Sequence, residues 1–340
     1  MVKNSIPNLQ KLLELGKVAF IRVGVLPLLL VATVVIFSIW NPAFLSLVNL
    51  VVVSREATYL IMVTLAQMLA LLSAGFDLSL GATVALISVV SATVMLSLQA
   101  YPGVDVLVGS LVGIGIGALV GVSNGFFIAF FRISPFLVTL GMSFIALSLS
   151  LILSGGGRPV YGLPANFVYT LGHGRVLGIP VPVIVTILLI GSVYFILSWT
   201  RFGRYIYALG GSRDAAVRVG IPVRRYTVFT YVAVGILVGI SGVMMTARTG
   251  SGEPTLGLTL PLLSISAAVI GGISLFGGEG KLYGAILGAI AITLIQNGMN
   301  LVGVDSFVQM VIMGAILIMT LASEHYRRQL RTSWELKLRQ

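Results

Sequence analysis

Side chains able to do chemistry are sparse in this sequence, and none of them forms a catalytic constellation. Cysteine is absent, which excludes thiol catalysis, disulfides and thiolate-bound metal. His173 and His325 are too few for a histidine-rich metal site. The stretch Gly277-Gly278-Glu279-Gly280-Lys281-Leu282 imitates a phosphate loop. Leu275, however, stands where its first glycine would be, and Leu282 replaces the Ser or Thr that would meet magnesium. What remains is a small set of polar residues inside apolar stretches: Gln67, Asn124, Gln296, Asn297, Asn300 and Gln309. Gln296 and Asn300 are four apart and Asn297 and Asn300 three apart, so a helix brings them to one face. Such amides can hydrogen-bond a polyhydroxylated solute or bond a neighbouring helix, and both readings stay open. Asn124, Gln296, Asn297 and Asn300 are the candidates for a solute path. Asp77 is the one carboxylate near membrane depth. At a bilayer centre it would cost about 2.5–3.5 kcal/mol, so we read it as nearer an interface. There it caps the following helix through the N–H of Ser79 or Leu80, rather than relaying protons.

The elements that position these groups are apolar. The 340 residues are 57% hydrophobic and 9% charged, with a mean hydropathy of +1.07. So little charge cannot cover a soluble surface, so the expected class is an all-α polytopic membrane protein. Apolar runs fall at 24–40, 57–75, 80–98, 106–131, 135–153, 182–199, 227–247, 261–276, 283–302 and 308–322, giving ten candidate spans. The first is read as a retained span, because no small-residue cleavage site follows it. A net charge of +11 would suggest nucleic acid for a soluble chain. Here the basic residues lie between the apolar runs and report topology and lipid head groups instead. With the N-terminus inside, 17 of the 21 Lys and Arg residues fall on the cytoplasmic side, which predicts both termini cytoplasmic. The expected organisation is an amphipathic segment 1–23, a transmembrane domain 24–322 with a long external loop 154–181, and a basic tail 323–340.

Gly109, Gly113, Gly117, Gly121 and Gly125 recur every fourth residue and form one smooth helical stripe, expected to let two backbones pack closely. The segment 201–226 holds six arginines against the single acid Asp214. Gly210 and Gly211 are expected to break the preceding structure. Ser212 is a fair N-cap, Asp214 and Arg218 match the dipole of a short helix, and Gly220 with Pro222 ends it. A helix of about six residues does not stand alone in water. Either its own membrane domain or a partner protein holds it, or the segment is only a basic loop that orients the chain.

Four segments together resemble the membrane permeases of the ribose/xylose/galactose branch of ABC importers. They are Gly75-Phe76-Asp77-Leu78-Ser79-Leu80-Gly81; Asn124-Gly125 through Ser134-Pro135-Phe136-Leu137-Val138-Thr139-Leu140-Gly141; Gly203-Arg204-Tyr205 through Ala208-Leu209-Gly210-Gly211 and Ala215-Ala216 to Gly220-Ile221; and Val269 through Gly278 to Asn297-Gly298-Met299-Asn300-Leu301. Ala74 and Phe76 stand where that family usually has Gly and Ile. The resemblance implies a multi-pass permease of the bacterial inner membrane, paired with a second permease subunit, identical or not. It implies two cytoplasmic ATP-binding subunits, which would hold the ATP and magnesium, and an extracytoplasmic sugar-binding protein. This chain itself would bind no cofactor and catalyse no reaction. Gly210, Gly211, Ser212, Ala215, Ala216, Arg218 and Gly220 would form the segment that couples it to the ATPase, with small Ala215 and Ala216 allowing close approach. A nucleoside-type permease is the nearest alternative. A secondary transporter is the next, although Asp77 would be its only ionisable midplane candidate.

Overall fold

The computed structural model describes residues 26–338, and the expected amphipathic segment 1–23 lies outside them. Among the described residues, eight helices are long and apolar enough to cross a membrane: α2 (Leu47–Leu72), α3 (Leu80–Ser97), α4 (Val104–Phe130), α5 (Pro135–Leu153), α6 (Val181–Trp199), α9 (Val223–Thr249), α11 (Leu282–Leu301) and the first part of α12 (Ser306–Leu338). Two shorter apolar helices, α1 (Leu26–Trp40) and α10 (Leu260–Ile270), complete the ten runs. Helix α2 starts ten residues earlier than its apolar run, because the Ser46 hydroxyl accepts the Asn49 N–H at 3.3 Å and caps it. Helix α10 ends before its run does, at a glycine-rich segment where Gly272, Gly277, Gly278 and Gly280 all take positive φ.

Helix α2 is the axis of the bundle. Every residue from Ala57 to Leu72 is buried, against α6, α9, α10 and α11. A helix apolar on all sides fits only such a central place. The most extensive packing joins α4 to α9. Side chains added at Gly117 would meet the Gly235 carbonyl and Gly239, at Gly121 the Tyr231 carbonyl, and at Gly125 the Val228 backbone. Gly109 and Gly113 face Met95, Ser91 and Val243 instead, so the stripe serves two neighbours, α3 and α9. Dispersion between backbones this close compensates for the missing hydrophobic drive inside lipid.

The two ends of the bundle differ. One end gathers the 154–181 segment, which contains the antiparallel pair β1 (Arg175–Val176) and β2 (Ile179–Pro180). Their two-residue turn, Leu177-Gly178, has φ of 51° and 83°, the geometry that matches strand twist. Arg55 donates to the Gly172 carbonyl at 3.1 Å there. The other end gathers α7 (Arg201–Gly211), α8 (Arg213–Arg218), the α4–α5 turn at Arg132 and the 271–281 segment. The expected break at Gly210-Gly211 is corrected by the structure: α7 runs through Gly211. These glycines answer a packing demand instead. A side chain at Gly210 would collide with the Leu72 carbonyl oxygen and the Gly278 nitrogen.

Candidate functional site

Two places combine polar groups with open space. The first is a cavity of about 650 Å³ between the start of α2, the end of α11, the 3-10 turn Pro42–Leu45 and the start of α12. Gln296, Asn297 and Asn300 all line it, beside Ser46, Asn49 and Glu56. The structure therefore brings three of the four candidate path residues together. Their amides are not equivalent. Asn297 exchanges two hydrogen bonds with Asn49, at 2.9 and 3.0 Å, tying α11 to α2. Asn300 accepts from Gln309 at 2.8 Å, tying α11 to α12. Gln296 makes no hydrogen bond among the described residues and keeps its amide for the cavity. The helix-bonding reading thus holds for Asn297 and Asn300 in this conformation, and the solute reading remains available to Gln296.

Asn49 and Glu56, seven apart, share one face of α2 and supply the other wall. Sequence reasoning passed over both. The available signal was their seven-residue spacing, two helical turns, just before the apolar run 57–75. Glu56 is ion-paired with Arg248, whose guanidinium lies 5.0 Å from the Tyr59 ring centroid. Arg55 donates to His173 Nδ1 at 3.0 Å, which makes His173 part of the folded 154–181 segment.

Asn124 lies elsewhere. It is fully buried and donates to the Ser79 hydroxyl at 3.0 Å. Asp77 accepts from the Ser79 N–H at 2.8 Å and from the Ser79 hydroxyl, so the carboxylate organises the turn before α3 as expected. It does so from a buried position, where these donors replace water, rather than from an open interface.

The second place is the basic end. Ser212 caps α8, accepting the Ala215 N–H at 3.3 Å, and Gly220 leaves it at φ 80°. The expected small face is corrected in one respect. Ala216 is buried against Leu209 and Val223, and only Ala215 faces outward. At the end of α7, Gly210 and Gly211 touch Gly278, whose N–H donates to the Leu72 carbonyl at 3.0 Å. Tyr207 donates to the Gly280 carbonyl at 2.9 Å. Burial raises its hydroxyl pKa, which keeps it a donor. Gly277 fits against Ala74, and the next residues reach into the bundle: Tyr231 donates to the Phe76 carbonyl at 2.9 Å and the Leu78 N–H to Thr139 at 3.1 Å. A continuous series of contacts therefore runs from α8 through α7 and the 271–281 segment to the turn holding Asp77.

A predominantly helical, multi-pass bundle with a polar mouth at one end and a short capped helix at its basic end has the architecture of a transport permease. The chain belongs to the family described as branched-chain amino acid transport system / permease component, whose profile matches residues 49–321. It is 34% identical over 296 residues to the D-allose transport system permease protein AlsC of Escherichia coli, covering 86% of this chain and 89% of that protein. It is 36% identical over 286 residues to the ribose import permease protein RbsC of Bacillus subtilis, covering 84% and 87%. The galactose/methyl galactoside import permease protein MglC of Haemophilus influenzae is 32% identical, over 83% and 88%. No solved structure matches significantly. The chain is a multi-pass protein of the bacterial inner membrane. Among the described residues no group of three or more His, Cys, Asp or Glu side chains could hold a metal ion.

Proposed function

We propose that this chain is the membrane-spanning subunit of an ATP-driven importer and carries a monosaccharide across the inner membrane. The observation that carries the reading is its similarity, over more than four fifths of the chain, to allose, ribose and galactose permeases. ATP and magnesium would belong to separate ATP-binding subunits docked at the basic, cytoplasmic end. An extracytoplasmic binding protein would deliver the sugar to the opposite end, and a second permease subunit would complete the membrane unit.

The geometry supports a division of labour. Gln296, with Asn49, Glu56 and the paired Asn297 and Asn300, offers amide and carboxylate partners to sugar hydroxyls at the mouth. At the other end Ser212, Ala215, Arg218 and Gly220 form a rigid, capped projection, and Ala216, Gly210 and Gly211 anchor it on the bundle. The test is uptake in vesicles carrying the permease, its ATPase and its binding protein, against a panel of pentoses and hexoses. ATP-dependent uptake of one sugar class is expected. Uptake driven by an ion gradient without ATP would replace this reading with a secondary transporter.

A further inference from the structure

The basic end carries a groove of about 1090 Å³ between α8, the start of α9 and the α4–α5 turn. Arg132, Arg213, Arg218, Arg224 and Arg225 line it, with Asp214 as the single carboxylate. All five arginines are exposed. The ion pair Glu56–Arg248 lies at the opposite end of the molecule and involves none of these arginines. Five guanidiniums converging on one groove repel one another, and an anion with several acceptor oxygens relieves that repulsion. Guanidinium forks match phosphate oxygens two at a time.

The surroundings decide which anion. Helix α4 enters the groove at Ile128 and just beside it exposes Phe126, Phe127 and Phe130, with exposed Phe131 directly after the helix. Their rings stack edge and face at 5.0 to 5.8 Å. The Arg224 guanidinium sits 5.8 Å from the Phe130 ring centroid. Farther along the same helix, exposed Leu111, Leu119 and Val122 continue the apolar surface. Phenylalanine rings suit the hydrocarbon, and guanidiniums directly beside them reach the head-group layer. The groove is thus continuous with the apolar wall of α4, while Ala215 of α8 and Val219 just after it lie outside its lining.

We propose that this groove binds the phosphate head group of an anionic phospholipid from the leaflet at the basic end, with the acyl chains along the Phe126–Phe131 wall. The inference is independent of which solute the permease carries.

Native mass spectrometry of the full-length permease, released from vesicles of phosphatidylcholine mixed with phosphatidylglycerol, tests it. Arg132→Gln/Arg224→Gln is compared with Arg201→Gln/Arg204→Gln, which removes the same charge from α7. The groove variant should retain phosphatidylglycerol on the order of tenfold less than wild type. The α7 variant should retain it as wild type does, and added inorganic phosphate or ATP should leave wild-type retention unchanged. Equal loss in both variants would reduce the groove to diffuse surface charge. Unchanged lipid retention with lost ATPase-subunit co-purification would make it a protein docking site, and displacement by phosphate or ATP would make it a soluble-anion site; each overturns the proposal. If the glutamine variant does not fold, Arg132→Lys/Arg224→Lys decides. It keeps the charge but not the two-point fork, so retention should fall several-fold, and full retention overturns the proposal.

Discussion

Gly278 donates its N–H to the carbonyl of Leu72 at 3.0 Å, and Gly210 lies against both. This is where the end of the central helix, helix α7 and the 271–281 segment meet. Through it α7, on which α8 packs, is joined to Ala74 and the turn before α3. Gly278 has φ 71° and no room for a side chain beside Gly211. Gly278→Ala should therefore cost about 1–3 kcal/mol locally. The expected outcome is ATP hydrolysis that persists while sugar uptake falls. Proportional retention of both would remove this junction from the coupling route.

On α8, Ala215 and Ala216 separate two effects. Ala216→Trp should destabilise the basic end of the permease itself, because the side chain has no space between Leu209 and Val223. Ala215→Trp projects outward, so the melting temperature should hold while association with the ATPase subunit weakens. Co-purification and thermal melts on the two variants check this, and wild-type association in Ala215→Trp would return the segment to a topological signal.

The glycine stripe has an internal control. Gly117→Leu forces a side chain into the Gly235 carbonyl and should sharply lower the yield of folded protein. Gly115, two residues away, meets nothing within 4 Å, and Gly115→Leu should be silent. Detergent-stable yield by size-exclusion chromatography reads both.

At the polar mouth, Gln296→Leu should reduce uptake without lowering the melting temperature, since its amide bonds no other helix. Asn297→Leu should lower stability by about 1–2 kcal/mol, the cost of leaving Asn49 half-satisfied. The reverse pattern would make Gln296 structural and Asn297 the solute contact.

Because the chain has no cysteine, sidedness can be read directly. Tyr161 and Val219 are 69% and 75% exposed at opposite ends. In right-side-out vesicles an impermeant thiol reagent should modify Tyr161→Cys and spare Val219→Cys. Modification of both from one side would break the ten-pass topology.

The apolar runs, the six-residue helix at 213–218 and the glycine stripe were legible in the sequence because each depends on neighbours within a turn or two. Periodicity, caps and backbone entropy act locally, and the structure changes mainly their boundaries. What the local signals left open required partners far along the chain. Asn297 meets Asn49, 248 residues away, and that contact exists only because α2 and α11 lie side by side. Asn124 has the same chemistry, yet it is closed off against Ser79 by the packing of α4. Gly210 reads as a helix breaker, but the Leu72 carbonyl pressed against it makes it a contact point inside a continuous helix. Ala215 and Ala216 are identical in sequence terms, and only the docking of α8 on Leu209 and Val223 decides which one faces outward. Residue type and spacing determine which surfaces can be buried, whereas the choice of partner depends on how ten helices share one limited volume.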